Sequence, residues 1–175
     1  MGRHLLALDM TSTTVKFADV AITGRPIVSG IFSIPSDVVK DGEVLQPDAL
    51  AADLRTALKK ARVRTKHTAF TVNSSRLILR RLDLPPLPIL QLKQLLTWEL
   101  QRYTPYQADT AEFDLLSLHL TPKQHTVLLA AVPKIITDSL VNALKLAGLH
   151  PSYLEPGIMA LFRLIQCQYG LGIDN

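Results

Sequence analysis

Three short runs open the chain with apolar residues recurring at the two-residue period of strands: HLLALDM (4–10), TVKFADVAI (14–22) and RPIVSGIFSI (25–34). Turn-sized polar gaps separate them and Gly24 precedes the third, so they predict a strand meander. PSDVVKDGEVL (35–45) breaks the alternation and reads as a loop built on an Asp41-Gly42 turn. The period then lengthens. Pro47 suits a first helical position, Asp48 the first turn, and Leu50, Leu54, Leu58 and Ala61 fall three or four apart on one face. HTAFTV (67–72) returns as a strand, and a meander followed by helix and strand predicts an α/β layer.

After Asn73 and Ser74 the pattern restarts. RLILRRLDL (76–84) alternates, PPLP (85–88) interrupts it, and Pro88 opens a helix carrying Leu92, Leu95, Leu96 and Glu99, with Trp98 beside them. That helix must stop before Pro105. Two strands (111–120 and 125–132) flank a turn at Pro122, and a helix runs from about Lys134 to Ala147 with Gly148 as its stop. A strand at 149–154 precedes a last helix bearing Ile158, Leu161, Phe162 and Ile165. Two modules are expected, with a boundary near 73–76 and a return near 150–156; no repeat or low-complexity tract occurs.

Composition narrows the class. A length of 175 residues suits one domain or two small ones, and 47% apolar against 19% charged residues excludes a disordered chain. The net charge of +4 comes from scattered cations. Their densest group, KKARVRTK (59–66), falls where a helix should end, and there it serves the macrodipole; no aromatic residue lies within it, so nucleic acid is not an expected partner. A single cysteine, Cys167, precludes an internal disulfide and a multi-cysteine metal site, and five dispersed histidines form no ligand-spaced pair, so no metal is expected. With neither an apolar run long enough to span a bilayer nor a signal-peptide pattern, a cytoplasmic location is expected.

Two stretches could carry function. In LALDMTSTTVKFADV (6–20) a strand ends at Asp9, Thr11 to Thr14 form a small polar turn, and Lys16 opens the next strand. A tight turn with free N–H groups and hydroxyls can cradle an anion, a carboxylate can hold hydrated Mg²⁺, and a lysine can neutralise phosphate. Asp9, Ser12, Thr13, Thr14 and Lys16 supply those parts, yet a threonine-rich hairpin has the same composition, and no glycine lies between Gly2 and Gly24 to admit a phosphate closely. Both readings stand on the residues alone. In WELQRYTPY (98–106) a helix ends at Tyr103, Pro105 breaks it and Tyr106 follows, a ledge suited to a neighbouring subdomain or an extended peptide, or equally to capping the module's own core. Ser74 and Ser75 read as turn residues, and Glu99 beside Arg102 as a capping or interfacial carboxylate. Nucleophile elbow, Walker A, zinc-protease and dinucleotide fingerprints are all missing from the sequence.

Four stretches give the chain a resemblance to the N-terminal half of the PilM family, actin-like proteins of type IV pilus assembly. LALDMTSTTVKFADV sits where the family has an aliphatic strand, an Asp, small residues and a Lys; IPSDVVKDGEVLQPDALAADLRTAL (34–58) follows its loop, DGE turn and helix. WELQRYTPY is similar to a family helix ending in Tyr-Ile-Pro-Phe, and residues 129–164 follow its final helix, strand and helix. The resemblance covers essentially all 175 residues. It implies an α/β fold, half of an actin-like (ribonuclease H-like) fold: subdomain 1A over 1–74 and 150–175, with an inserted α+β subdomain 1C over 75–149 placed as in FtsA.

In complete family members ATP with Mg lies between this half and a second one, and the cytoplasmic N-terminal tail of the inner-membrane protein PilN docks between 1A and 1C. Carried over, Asp9, Ser12, Thr13 and Lys16 occupy the first phosphate loop, and Trp98, Tyr103, Pro105 and Tyr106 the partner surface. Thr11 departs from the family, which usually has Gly there, and the sequence stops where the second phosphate loop should begin. The expectation is therefore a scaffold of the pilus inner-membrane complex, peripheral to the membrane through PilN, with no cofactor and no enzymatic activity in this chain. The alternatives are half of an actin-fold ATPase or sugar kinase, and a GspL-like type II secretion component.

Overall fold

The computed structural model describes residues 4–21, 26–35 and 37–169, with the side chains of 26–28 outside the description. They form two compact units, the first of described residues up to 75 and from 136 onward and the second of 76–135. Gly24 and the expected strand ends at 22 and 25 lie outside the described residues.

In the first unit, β1 (His4–Met10), β2 (Thr14–Ala21) and β3 (Pro26–Ser33) form the expected meander. The loop that follows is a miniature hairpin, β4 (Val39–Lys40) and β5 (Glu43–Val44). Asp41 and Gly42 both have positive φ, 48° and 82°, the backbone of a two-residue hairpin turn that matches strand twist. Helix α1 (Pro47–Lys60) then leads to β6 (His67–Val72), parallel to β1. Its last turn carries Lys59 and Lys60, as the macrodipole reading expects.

The second unit opens with β7 (Ile78–Leu84), α2 (Ile89–Tyr103), β8 (Ala111–Leu120) and β9 (His125–Pro133). The chain returns through α3 (Lys134–Leu146) to β10 (His150–Pro156), parallel to β6, and ends in α4 (Gly157–Tyr169). The five-stranded order is β10-β6-β1-β2-β3. Antiparallel neighbours follow hairpins, and the two parallel pairs follow helical crossovers, as strand connections require.

Alternation decides what each sheet face does. Leu6, Leu8 and Met10 of β1, Val15 and Phe17 of β2, and Phe70 and Val72 of β6 are buried, as are Leu50, Leu54 and Leu58 of α1. Phe17 and α1 residues Asp53 and Ala57 line one groove, which puts α1 on this face. The opposite face carries Ala7, Ala18 and Ala69, with Ala160 of α4 beside them. No residue of α4 is buried: Ile158, Leu161, Phe162 and Ile165 lie 38–55% exposed, so the apolar stripe of this helix is open rather than core.

The sequence reading assigned 75–149 to the insert, whereas packing places α3 with the first unit. Ser139 Oγ accepts the Val44 N–H at 3.0 Å, and Arg55 donates to the Leu146 carbonyl at 2.8 Å, tying the middle and the C-terminal end of α3 to first-unit elements. The insert is thereby a smaller α+β module. Its sheet, ordered β7-β9-β8, is antiparallel, and Leu92, Leu96 and Leu100 of α2 pack on Leu82, Leu84, Leu115, Val127 and Leu129. His125, buried in this core, bonds through Nδ1 to the Leu87 carbonyl (2.9 Å) and through Nε2 to Ser117 Oγ (2.7 Å), so a strand-end polar ring is fully satisfied.

Two glycines separate conformational from steric cost. A Cβ at Gly42 would lie 2.7 Å from the Asn73 carbonyl oxygen on a backbone of φ +82°, whereas one at Gly148, φ +79°, would meet nothing within 4 Å. Gly148→Ala is expected to cost about 1 kcal/mol and Gly42→Ala about 2–4 kcal/mol, since a clash adds to the strain. Urea unfolding midpoints for the two variants check the order; equal shifts would show that the Asn73 contact yields without cost.

Candidate functional site

The β1–β2 turn is closed by the Thr11 N–H donating to the Thr14 carbonyl at 2.9 Å. Inside it the Thr11 hydroxyl donates towards the same carbonyl (3.2 Å), shares a hydrogen bond with Thr14 Oγ1 (2.9 Å), and accepts from the N–H groups of Thr14 (3.1 Å) and Thr13 (3.4 Å). Two backbone donors that an anion would need are thus turned onto a side chain of the turn itself, a common habit of threonine in tight turns. Ser12 and Thr13 are exposed at its tip.

Asp9 and Lys16 face each other across the β1–β2 ladder, Nζ lying 4.0 Å from Oδ2. Asp9 Oδ1 accepts from the Thr71 hydroxyl at 2.7 Å and from the Asn73 amide at 2.9 Å, and the same amide reaches the Met10 carbonyl (3.1 Å) and Thr71 Oγ1 (3.2 Å). These residues come together because β6 runs parallel beside β1, so the C-terminal ends of both strands meet where an open α/β sheet holds its ligands. A shallow cavity of about 300 Å³ lies on this face, floored by Ala7, Ala18 and Ala69 and rimmed by Asp9, Lys16, Thr71 and Glu155. Glu155, near the end of β10, is paired with Arg163 in the second turn of α4.

Of the four predicted phosphate-loop residues, Asp9 and Lys16 line the cavity, whereas Ser12 and Thr13 stand at the turn outside its lining. Thr71, Asn73 and Glu155 are the members that sequence reading missed. Their signal was positional: each lies at the C-terminal end of a strand that proves to be parallel, a pairing no local pattern discloses. Among the described residues, no group of three or more His, Cys, Asp or Glu gathers as metal ligands.

The second candidate surface belongs to the second unit. Trp98 is 89% exposed on the outer face of α2. Tyr103 and Tyr106 are half-buried against the α2 core; the Tyr106 hydroxyl donates to the Arg76 carbonyl at 2.6 Å, and its N–H is held by Thr104 Oγ1 at 3.2 Å. Tyr103 and exposed Pro105 line an open groove of about 440 Å³ with Ile78, Arg80 and Arg102. Arg80 donates to the Tyr103 carbonyl at 3.0 Å, while Arg102 pairs with Glu99 at 2.9 Å and stands over the Tyr103 ring at 5.9 Å. The predicted quartet therefore divides: Tyr103 and Pro105 form a groove wall, Trp98 is a separate exposed anchor, and Tyr106 is a core and hydrogen-bonding residue.

The meander, crossover helices and strand-end site describe one half of an actin-like fold, and structural comparison agrees. A chain of the PilM–PilN type IV pilus biogenesis complex matches with a TM-score of 0.85 and 21% identity, over 96% of this chain and 52% of that one. The cytoplasmic domain of EpsL, an inner-membrane component of the type II secretion system of Vibrio cholerae, matches at 0.61 and 17%, over 90% and 59%. A Bacteroides thetaiotaomicron protein with an actin-like ATPase fold matches at 0.53 and 10%, over 98% and 58%. The family model for the type IV pilus assembly protein PilM matches residues 7–164, and the chain belongs to that family. It spans about half the length of the chain in the PilM–PilN complex. No curated protein sequence matches it.

The contacts of Asp9 are of unequal weight. Asp9→Ala leaves the Thr71 hydroxyl and one Asn73 donor short of an acceptor, and is expected to lower stability by about 1–2 kcal/mol. Lys16→Ala removes only a long, solvent-exposed ion pair and should change it by less than about 0.5 kcal/mol. Denaturant titration of both variants compares them; a Lys16 effect as large as that of Asp9 would show that the ion pair organises the strand ends.

Proposed function

We propose that this chain is a cytoplasmic scaffold of type IV pilus assembly that binds the N-terminal tail of PilN and is held at the inner membrane through it. The observation that carries the reading is the match at a TM-score of 0.85 to a chain of the PilM–PilN complex, joined to the family match over 7–164. No helix among the described residues is long and apolar enough to cross a membrane, which is consistent with attachment through a partner. The weaker likeness to EpsL supports the same role of adaptor to a membrane machine, while the family match favours the pilus over secretion.

Docking of an extended segment is assigned to the groove of the second unit. Tyr103 and Pro105 offer a rigid apolar wall, and Arg80 and Arg102 offer cations at its rim. Trp98 adds an exposed aromatic anchor nearby on the same helix. A labelled synthetic peptide of the PilN cytoplasmic tail should bind by fluorescence anisotropy, with Tyr103→Ala weakening it about tenfold or more and Trp98→Ala weakening it less. A peptide that gives no signal, or that binds the variants equally well, would refute this placement.

The strand-end cavity is read as a vestige of a nucleotide site. Asp9 and Lys16 could face a phosphate and its Mg²⁺, but the N–H groups of Thr13 and Thr14 are taken up by Thr11 and the cavity is shallow. The chain by itself is proposed to bind ATP weakly or not at all and to lack ATPase activity. Isothermal titration with ATP and Mg²⁺ should show no saturable heat in the micromolar range; a micromolar Kd would favour the alternative, half of an actin-fold ATPase.

A further inference from the structure

The helical crossovers gather charge at one end of the first unit. β1, β6 and β10 run parallel, so their N-terminal ends lie together, and α1 and α3 finish just before β6 and β10 begin. The His150 N–H donates to the Lys66 carbonyl at 2.8 Å, and Arg55 of α1 donates to the Leu146 carbonyl at the end of α3. The two helix-to-strand turns are therefore neighbours. This end is opposite the strand-end cavity, whose polar rim is built at the C-terminal ends of the same strands.

Six cations stand here: Lys59, Lys60, Arg62, Arg64 and Lys66 around the turn from α1 to β6, and Lys145 in the last turn of α3. All six are exposed, and none forms an ion pair or a side-chain hydrogen bond with another described residue. The macrodipole accounts for Lys59, Lys60 and Lys145. Its effect fades past the last helical turn, where Arg62, Arg64 and Lys66 lie.

No acid offsets them along the chain, since Asp and Glu are absent between Asp53 and Asp83. Asp19, at the same end, is buried and occupied: its Oδ1 accepts from the Thr65 hydroxyl at 2.8 Å and lies 3.4 Å from His4 Nδ1. The whole chain carries +4, and without these six residues it would carry −2. Its basic character is thus a property of one end of the first unit.

We propose that this end is a lipid-binding surface, which lays its six cations on the anionic headgroups of a bilayer and holds the chain there independently of the PilN tail. Unpaired cations clustered in this way are attracted to an anionic bilayer without any shaped groove, and each contributes about fivefold to the affinity. Nucleic acid would feel the same charge, but residues 59–66 include no aromatic ring on which a base could stack. The choice of lipid rests on the reading above that the chain works at the inner membrane.

The purified chain should float with vesicles of phosphatidylcholine mixed with phosphatidylglycerol and not with vesicles of phosphatidylcholine alone. Raising salt from about 0.1 M to about 1 M should release it, because the screening length falls from about 10 Å to about 3 Å. In Arg62→Asn/Arg64→Gln/Lys66→Gln, where Asn suits the left-handed backbone at position 62 (φ 58°), vesicle binding should fall about a hundredfold. Arg81→Gln/Lys123→Gln removes two exposed cations from the second unit and should leave it unchanged. The vesicles hold no PilN, so this experiment and the peptide titration fail independently. If the triple variant does not fold, the two vesicle types and the salt series decide on the unaltered chain. Binding to neither vesicle, equal binding to both, or full binding by the triple variant overturns the proposal. Tighter binding to duplex DNA than to the mixed vesicles at the same salt assigns the surface to nucleic acid and overturns it as well.

Discussion

The first unit hangs on one side chain and its neighbours. Asn73 stands just past β6, where the chain departs for the insert, and its amide binds Asp9 and the Met10 carbonyl at the end of β1 and the hydroxyl of Thr71. Its carbonyl oxygen presses on Gly42, and its Oδ1 lies 2.0 Å from where a Cβ of Gly157 would stand. The side-chain amide therefore ties the exit of β6 to the end of β1, while the DGE hairpin and the start of α4 leave room at Gly42 and Gly157 for the same residue. Asp41 tightens the same junction, accepting from the N–H (2.6 Å) and hydroxyl (2.9 Å) of Ser75. The clasp anchors to the first unit the side from which the sixty-residue insertion (76–135) departs.

The strand-end cavity follows from the same constraint. Parallel β1, β6 and β10 bring their C-terminal ends together, and the residues there are the polar ones: Asp9, Thr71 and Glu155. Behind them the sheet face is alanine, small enough to leave an open shelf. The opposite face carries Leu, Val and Phe and is closed by α1. One alternation therefore yields a packed core on one side and an accessible surface on the other. The actin-like resemblance predicted a nucleotide loop at the β1–β2 turn, and the cavity lies beside it. The turn itself, however, spends its donors on Thr11, the position at which the sequence departs from the family.

Much of this was legible in local pattern. The two-residue period gave the meander, the four-residue spacing of Leu50, Leu54 and Leu58 gave α1, and Pro47, Gly148 and the Asp41-Gly42 pair marked their stops and turns because backbone geometry admits few residues there. The last helix shows where pattern fails. Its apolar stripe is plain in the spacing, yet Ile158, Leu161, Phe162 and Ile165 are exposed, because periodicity records amphipathic character and not whether anything covers it. The grouping of α3 with the first unit was hidden for a related reason. The helix follows β9 directly in sequence, but its polar contacts at Ser139 and Leu146 go to residues ninety or more positions away.

By itself, the sequence determined the elements, their order, the fold family and one end of the site, since period, capping residues and motif spacing are properties of short segments. Only the tertiary structure decided which strands are parallel neighbours, and with that the meeting of Asp9 with Thr71 and Asn73 across more than sixty residues of chain. It also decided which of the four ledge residues face outward. These are consequences of long-range pairing, where the free energy lies in contacts between segments that share no local pattern.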